Sequence, residues 1–141
     1  MVKCHIPWIS FHRDCCNVAK KITAEIENVD TIIAIAKGGL IPARVIYEYL
    51  KPSSFYTIGV KLYEEDVRGD KITVYQDLPA DKDWSRMGNI LVVDDVCDSG
   101  ATFDSVYSRI EKEAPTAKIF TAAPYVKKNS KFAPYLTSLY S

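Results

Sequence analysis

Three aspartates follow a short apolar run in ILVVDDVCDSGAT, residues 90–102. Asp94 and Asp95 are adjacent, and Asp98 comes three residues later. Ionised carboxylates only accept hydrogen bonds, so their natural partners are sugar hydroxyls or a hard divalent cation such as Mg²⁺. A helix cap would explain one aspartate at such a turn. Adjacent like charges cost free energy unless something neutralises them, and the pair therefore favours a bound ligand.

The residues that follow Asp98 suit a phosphate monoester. The free N–H groups of a helix's first turn attract anions, Gly100 permits close backbone approach, and two hydroxyls add donors. The phosphate-binding motif GxxxxGK[ST] and the dinucleotide fingerprint GxGxxG are both absent from the sequence. The segment predicts a cradle for a phosphorylated sugar, with the diol at the acid pair and the phosphate at Ser99, Gly100, Ala101 and Thr102.

A second glycine-containing loop, Lys37-Gly38-Gly39, follows the apolar run at 31–36. Two glycines after a strand are often only a turn. Together with Lys37 they would form a nest of backbone N–H groups beside a cation, which suits a diphosphate. Placement of this loop opposite residues 98–102 would favour the ligand-binding interpretation.

The surrounding pattern predicts one α/β domain, residues 1–141, with a mostly parallel central sheet and helices on both faces. In such sheets ligands bind at the carboxyl ends of the strands, where both loops lie. Ser10 is the predicted N-cap of the first helix. The predicted elements are a helix at 11–26, a strand at 31–36, a helix at 40–50, a strand at 54–61, a polar excursion at 62–89 containing a strand at 71–75, a strand at 90–93, a helix at 101–113, a strand at 117–123 and a last short strand at 135–141.

The composition narrows the classes of partner. Eighteen basic and eighteen acidic side chains give a formal net charge of zero, which argues against nucleic acid or an anionic membrane surface as a partner. No apolar run approaches the roughly 20 residues of a membrane span, and the N-terminus lacks the apolar core of a secretory signal. Four cysteines without a C-x-x-C pair indicate reduced thiols in a cytoplasmic protein.

Two stretches of the sequence resemble motifs of a known protein family. VVDDVCDSGAT resembles the phosphoribosyl-diphosphate (PRPP) motif of type I phosphoribosyltransferases, and IAKGGLIPARVI resembles their diphosphate loop with the helix after it. The phrase GGLIPA is most similar to the xanthine-guanine and hypoxanthine members. The resemblance implies the type I phosphoribosyltransferase fold, a homodimer, and Mg²⁺-dependent purine salvage. In that reaction a 6-oxopurine base (guanine, xanthine or hypoxanthine) displaces diphosphate from PRPP.

The resemblance also implies roles by position. Asp98 would share the proton on the base N7, and Lys37 would stabilise charge on the diphosphate. Asp94 and Asp95 would hold the ribose hydroxyls, with Asp95 near Mg²⁺, directly or through water. The phosphate loop would be Ser99, Gly100, Ala101 and Thr102, and the diphosphate loop Lys37, Gly38 and Gly39, preceded by a cis peptide bond at Ala36–Lys37.

The excursion at 62–89 is the predicted lid, because PRPP hydrolyses if water enters the site. Its candidate diphosphate contacts are Tyr63, Arg68 and Lys71. The alternative is a disordered surface loop.

Elements near 1–9 and 124–141 would form the hood over the base, reduced at its C-terminal part because the family's aromatic phrase is missing. Lys127 or Lys128 would donate to the purine O6, although a solvated lysine is an equal alternative for either. Tyr135 or Tyr140 would stack on the base, against the alternative of a core or edge-strand tyrosine. Cys97 is assigned to packing. Two other functions remain open: transfer to another base, and a non-catalytic regulator that senses PRPP or nucleotides.

Overall fold

Helices and strands alternate along the chain. A computed structural model describes residues 5–65 and 69–140, with side chains except at 63–65, 69–71 and 138–140. The helices are α1 (Trp8–Glu25), α2 (Leu40–Leu50) and α3 (Ala101–Glu113), with a 3-10 turn at Trp84–Arg86. The strands are β1 (Thr31–Ala36), β2 (Ser54–Glu65), β3 (Gly69–Gln76), β4 (Asn89–Val93), β5 (Val96–Cys97), β6 (Lys118–Val126) and β7 (Leu136–Tyr140).

These strands form one sheet in the order β3-β2-β1-β4-β6, and β7 pairs with β6. β5 continues the line of β4 along β6, because Val93 pairs with Ala122 and Val96 with Tyr125. All the pairings are parallel except that of β2 with β3. The mostly parallel sheet predicted from the sequence is confirmed.

The two faces of the sheet are covered by different helices. On β1, Ile32 and Ala34 face one core, and Ile33 and Ile35 face the other. One core contains α1 and α2 through Val18, Ala19, Ile22, Ala43 and Ile46, and the other contains α3 through Phe103, Val106 and Ile110. Burial on both faces explains why β1 and β4 read as unbroken apolar runs. None of the described helices is both long and apolar enough to cross a bilayer.

Two predicted boundaries are wrong. The first helix begins at Trp8 with Pro7 as N-cap, so Ser10 lies inside its first turn. The rings of Trp8 and Phe11 stack at 5.8 Å, which extends the packed face of the helix toward its start. β2 continues to Glu65 and forms an antiparallel hairpin with β3. The predicted strands at 54–61 and 71–75 lie within β2 and β3, but the end of β2 at 62–65 was not predicted. An antiparallel pair at a sheet edge can remain open to solvent on one side, so these residues show no apolar strand pattern.

A buried hydrogen bond joins α1 to the sheet. The hydroxyl of Tyr125 on β6 donates to Asp14 at 2.6 Å, and Asp14 is only 5% exposed. Burial and the carboxylate it contacts raise the pKa of the Tyr125 phenol. Arg13 lies 4.0 Å from the other oxygen of Asp14. The hydroxyl therefore provides a buried partner for the carboxylate that fixes α1 against β6.

We expect Tyr125→Phe to lower the free energy of unfolding by about 1–3 kcal/mol, because a buried acceptor loses its donor while the ring remains. Urea denaturation measures the change. Tyr47→Phe is the matched control, since its ring packs on Phe55 and its hydroxyl makes no hydrogen bond within the described part of the chain. That control should stay within about 0.5 kcal/mol of the parent protein. Equal effects of the two substitutions would contradict the anchoring role.

Candidate functional site

The two glycine-containing loops meet at the carboxyl ends of neighbouring strands. β1 and β4 pair in parallel with Ala34 opposite Val93, so residues 37–39 and 94–95 leave the sheet side by side. A Cβ on Gly39 would collide with the carbonyl oxygens of Val93 and Ile35, both of them backbone atoms. Only glycine lets the turn lie this close to the end of β4.

The Asp95 carboxylate lies directly against the next glycine. A Cβ on Gly38 would stand 2.5 Å from Asp95 Oδ1. That oxygen also accepts the backbone N–H of Val96 at 2.7 Å. Lys37 is exposed beside them, and the peptide bond between Ala36 and Lys37 is cis, as the resemblance implied. A cationic side chain, a glycine backbone and a carboxylate therefore lie together at the turn after β1.

Asp94 points inward and is 8% exposed. Its Oδ1 accepts the N–H of Asp95 at 2.8 Å, and its own N–H donates to Ala122. Burial, followed by the neighbouring charge of Asp95, raises the pKa of Asp94 from 3.8 to about 8. Pairs of carboxylates with one strongly raised pKa are typical of functional sites. A cation or a hydroxyl donor that approached this pair would offset the charge.

The second loop ends at the start of α3. Gly100 is the N-cap with φ +93°, a left-handed conformation that favours glycine. Ser99 Oγ accepts the N–H of Ala101 at 3.2 Å. A cavity of about 190 Å³ opens here, with Leu62 and Val96 as apolar walls beside Asp98, Ser99, Gly100 and Thr102. The first-turn N–H groups of α3 and the helix dipole suit this cavity to a phosphate.

Lys127 and Asp98 form an ion pair beyond the carboxyl ends of β5 and β6. Lys127 follows β6, and its Nζ lies 3.0 Å from Asp98 Oδ2. Lys128 is also exposed, but the ion pairs of the described residues do not include it. The structure thus brings the first of the two candidate lysines to the predicted catalytic acid.

Tyr135 lies elsewhere. Its ring centroid is 5.4 Å from that of Phe120, and its N–H donates to Thr121 Oγ1 at 3.0 Å. Thr121 precedes the carboxyl end of β6 by five residues, so Tyr135 sits back along the sheet from Asp98. The side chains of Tyr63, Lys71 and Tyr140 and all of Arg68 lie outside the described residues. Leu62 is the last residue of β2 whose side chain is described, and it does line the cavity.

A wider cavity of about 470 Å³ is lined by Asp95. Trp8, Phe11 and Ile41 form its apolar wall, beside Lys37 and Gly38. Trp8 is 63% exposed although it is a large aromatic residue. Sequence reasoning placed hood elements near 1–9 but missed this wall. The available signal was a tryptophan at the start of an amphipathic helix.

The carboxylates of Asp94 and Asp95 suit a magnesium ion whose other ligands would come from water and a bound phosphorylated substrate. Among the side chains that the structure describes, no three from His, Cys, Asp or Glu gather around one point. Magnesium bound with phosphorylated substrates needs only one or two protein carboxylates, since water and phosphate oxygens supply the rest. Asp95, with Asp94 behind it, meets that requirement.

The fold and the site define an α/β domain in which two glycine-containing loops and a pair of adjacent carboxylates lie at the carboxyl edge of the sheet. The sequence profile of the phosphoribosyl transferase domain matches residues 8–137, and the chain belongs to this family. The predicted fold and family resemblance are both confirmed.

Individual relatives agree with this assignment. The chain is 32% identical to xanthine phosphoribosyltransferase 1 of Saccharomyces cerevisiae, over 77% of this chain and 60% of that protein. A purine phosphoribosyltransferase structure from Pyrococcus horikoshii has a TM-score of 0.82 at 27% identity, over 100% of this chain and 89% of that one. A Neisseria gonorrhoeae protein with bound ppGpp has the same TM-score and identity, over 96% and 81%. The chain spans 60–64% of the length of the curated relatives it matches.

The raised pKa of Asp94 predicts a pH dependence of stability. Between about pH 4 and pH 8 the unfolded state loses this proton while the folded state keeps it, so this group's contribution to stability falls as pH rises. The unfolding free energy of the parent protein minus that of Asp94→Asn should therefore decrease from pH 5 to pH 8. Urea denaturation at each pH measures it.

Asp77→Asn is the control for that series. Its hydrogen bond from Arg109 lowers the pKa of Asp77 below 3.8, so this carboxyl is ionised in both states throughout the same range. The difference for Asp77→Asn should stay flat from pH 5 to pH 8. A flat difference for Asp94→Asn as well would show that its carboxyl is not held protonated.

Proposed function

We propose that the chain is a phosphoribosyltransferase that transfers the 5-phosphoribosyl group of PRPP to a 6-oxopurine. One observation carries the proposal: the Asp95 carboxylate lies against Gly38, on the segment that leads to the glycine-capped start of α3. PRPP carries a diphosphate, a diol and a 5′-phosphate on one pentose. The Lys37 turn, the acid pair and the start of α3 offer matching groups at the carboxyl edge of the sheet.

Each part of PRPP then has a partner. The 5′-phosphate is held by N–H and hydroxyl groups of residues 99–102, and the ribose hydroxyls by Asp94 and Asp95. Residues 37–39 receive the diphosphate. The base nitrogen forms the new bond to C1 as the bond from C1 to the diphosphate oxygen breaks. Negative charge then accumulates on the leaving group, where Lys37 stabilises it.

Magnesium belongs to the same proposal. Asp95 would hold Mg²⁺ with Asp94 beside it, and the ion would supply positive charge at the leaving diphosphate. The β2–β3 hairpin is the candidate lid, because Leu62 already reaches the cavity that Asp98 lines. A homodimer is proposed only from the resemblance to the family.

The choice of a 6-oxopurine rests on the pair formed by Lys127 and Asp98. Their charged atoms are 3.0 Å apart. O6 and N7 are neighbouring acceptor positions on one edge of an oxopurine, and a protonated N7 becomes a donor. Lysine only donates and an ionised carboxylate only accepts, so Lys127 suits O6 and Asp98 suits the N7 proton. Adenine presents an amino donor in place of O6, which Lys127 would not satisfy.

A second candidate is a nucleotide-sensing regulator on the same fold. The Neisseria gonorrhoeae protein of similar structure binds ppGpp, a guanine nucleotide that carries two diphosphates. The same loops would accept such a ligand without any chemical step. Family membership does not separate binding from catalysis, so the two functions need a test of turnover.

Diphosphate release from PRPP and Mg²⁺ with a panel of bases provides that test. We expect turnover with guanine, xanthine or hypoxanthine. Asp98→Asn should lower kcat by roughly 10²–10⁴-fold, the usual range for loss of a general acid or base. Glu111→Gln, at an exposed carboxylate near the carboxyl end of α3, is the control and should retain activity. Tight PRPP binding without turnover for any base would favour the regulator.

Lys127→Ala tests the assignment of the base. Loss of a charged hydrogen bond worth roughly 1.5–3 kcal/mol should lower kcat/KM for the oxopurine by about 10–100-fold and leave the KM for PRPP nearly unchanged. Lys128→Ala is the neighbouring control and should behave like the parent enzyme. If both substitutions acted equally, or if adenine were preferred, Lys127 would not be the O6 donor.

A further inference from the structure

The connection between β6 and β7 runs along the phosphate loop. The N–H of Lys127 donates to the carbonyl of Cys97 at 2.9 Å, and the N–H of Lys131 donates to the carbonyl of Ser99 at 3.1 Å. The Cys97 thiol donates to the carbonyl of Phe132 at 3.2 Å. Residues 127–132, which we call the brace, thus bond residues 97–99 along their length.

Phe132 forms the packed end of the brace. Its ring stacks on Phe103 with centroids 5.5 Å apart and planes inclined by only 4°. A Cβ on Gly100 would stand 2.5 Å from Phe132 Cβ and 2.7 Å from its backbone nitrogen. Phe132 therefore contacts both the N-cap of α3 and a buried residue in its first turn. Tyr107, one turn further along α3, lies 6.4 Å from the same ring.

A serine fixes the backbone of this end. Ser130 Oγ donates to the carbonyl of Phe132 at 2.7 Å and lies 3.2 Å from Cys97 Sγ. Cys97 is 1% exposed, so this contact belongs to the packed side of the loop. The opposite side, with Asp98 and Ser99, is open to the cavity.

The phosphate loop needs such support. Glycine, the residue at position 100, has more backbone conformational freedom than any other residue type. The two residues before it, Asp98 and Ser99, are exposed. Loops that bind phosphate through backbone N–H groups work only when those groups are held in place before the ligand arrives. Displacement of about 1 Å in such a site can cost roughly 100-fold in rate. The packing that prevents displacement comes from the brace.

We infer that Phe132 is a positioning residue for the 5′-phosphate loop, acting through Gly100 and Phe103 without touching the substrate. This inference rests on the proposed function. The same brace begins at Lys127, so it links the base side of the site to the phosphate side. Phe132 packs on Gly100 and Phe103 at the phosphate end of the brace, so it should affect affinity for the phosphorylated sugar more than affinity for the base.

Phe132→Ala tests this inference, with ribose 5-phosphate as the probe in isothermal titration calorimetry. We expect roughly tenfold weaker binding, a similar rise in the KM for PRPP, and a KM for the base within about twofold of the parent value. Phe132→Tyr keeps the stacked ring and should restore most of the affinity. Phe55→Ala is the matched control, because it removes another partly buried, paired ring at the amino end of β2.

The outcomes separate the two proposals. If the parent protein bound neither ribose 5-phosphate nor PRPP, the proposed function would fail. If the parent protein bound the sugar phosphate and Phe132→Ala bound it as tightly as Phe55→Ala, the positioning role alone would be wrong. Should Phe132→Ala fail to fold by circular dichroism, Ser130→Ala takes its place. It removes only a hydroxyl, and we expect roughly threefold weaker binding; no change would overturn the inference.

Discussion

The site depends on the close approach of a carboxylate to a bare backbone, where Asp95 meets Gly38. Parallel pairing of β1 with β4 brings the two chain segments together, and glycine at positions 38 and 39 removes the Cβ atoms that would separate them. Electrostatics alone would oppose this arrangement, because Asp94 is buried beside Asp95. Burial beside Asp95 therefore raises the pKa of Asp94, and a cation or a hydroxyl-rich ligand that bound there would stabilise the ionised pair.

The sequence predicted this convergence because its signals were local and strong. Two short, unbroken apolar runs favoured strands covered on both faces, and each was followed by glycine or by acidic residues. Parallel topology then required the loops at 37–39 and 94–102 to share an edge. The start of α3 was also predicted from a local signal, because Gly100 and two hydroxyls are typical of a helix start that can bind an anion.

Other features could not be predicted, because they arise from contacts distant in sequence. The sequence predicted strands at 54–61 and 71–75, but their antiparallel pairing and the extension of β2 to Glu65 join polar residues at a sheet edge, which leave no apolar pattern. Ser10 has the chemistry of an N-cap, but aromatic packing starts the helix earlier. Tyr135 and Phe132 are both aromatic residues in a polar connection. Tyr135 packs beside Phe120 and Phe132 beside Gly100. The sequence does not show this difference, because it depends on where β7 pairs with β6.

The connection after β6 shows how a small domain can join two tasks. Lys127 reaches Asp98 while the backbone of the same segment bonds Cys97 and Ser99, so a shift of either end would disturb the other. In the proposed reaction, base and sugar must meet within bond-forming distance while the phosphate stays fixed. One braced segment can position both the base and the phosphate more directly than two independent loops. Asp98, Lys127 and the phosphate loop are then held by the same backbone hydrogen bonds.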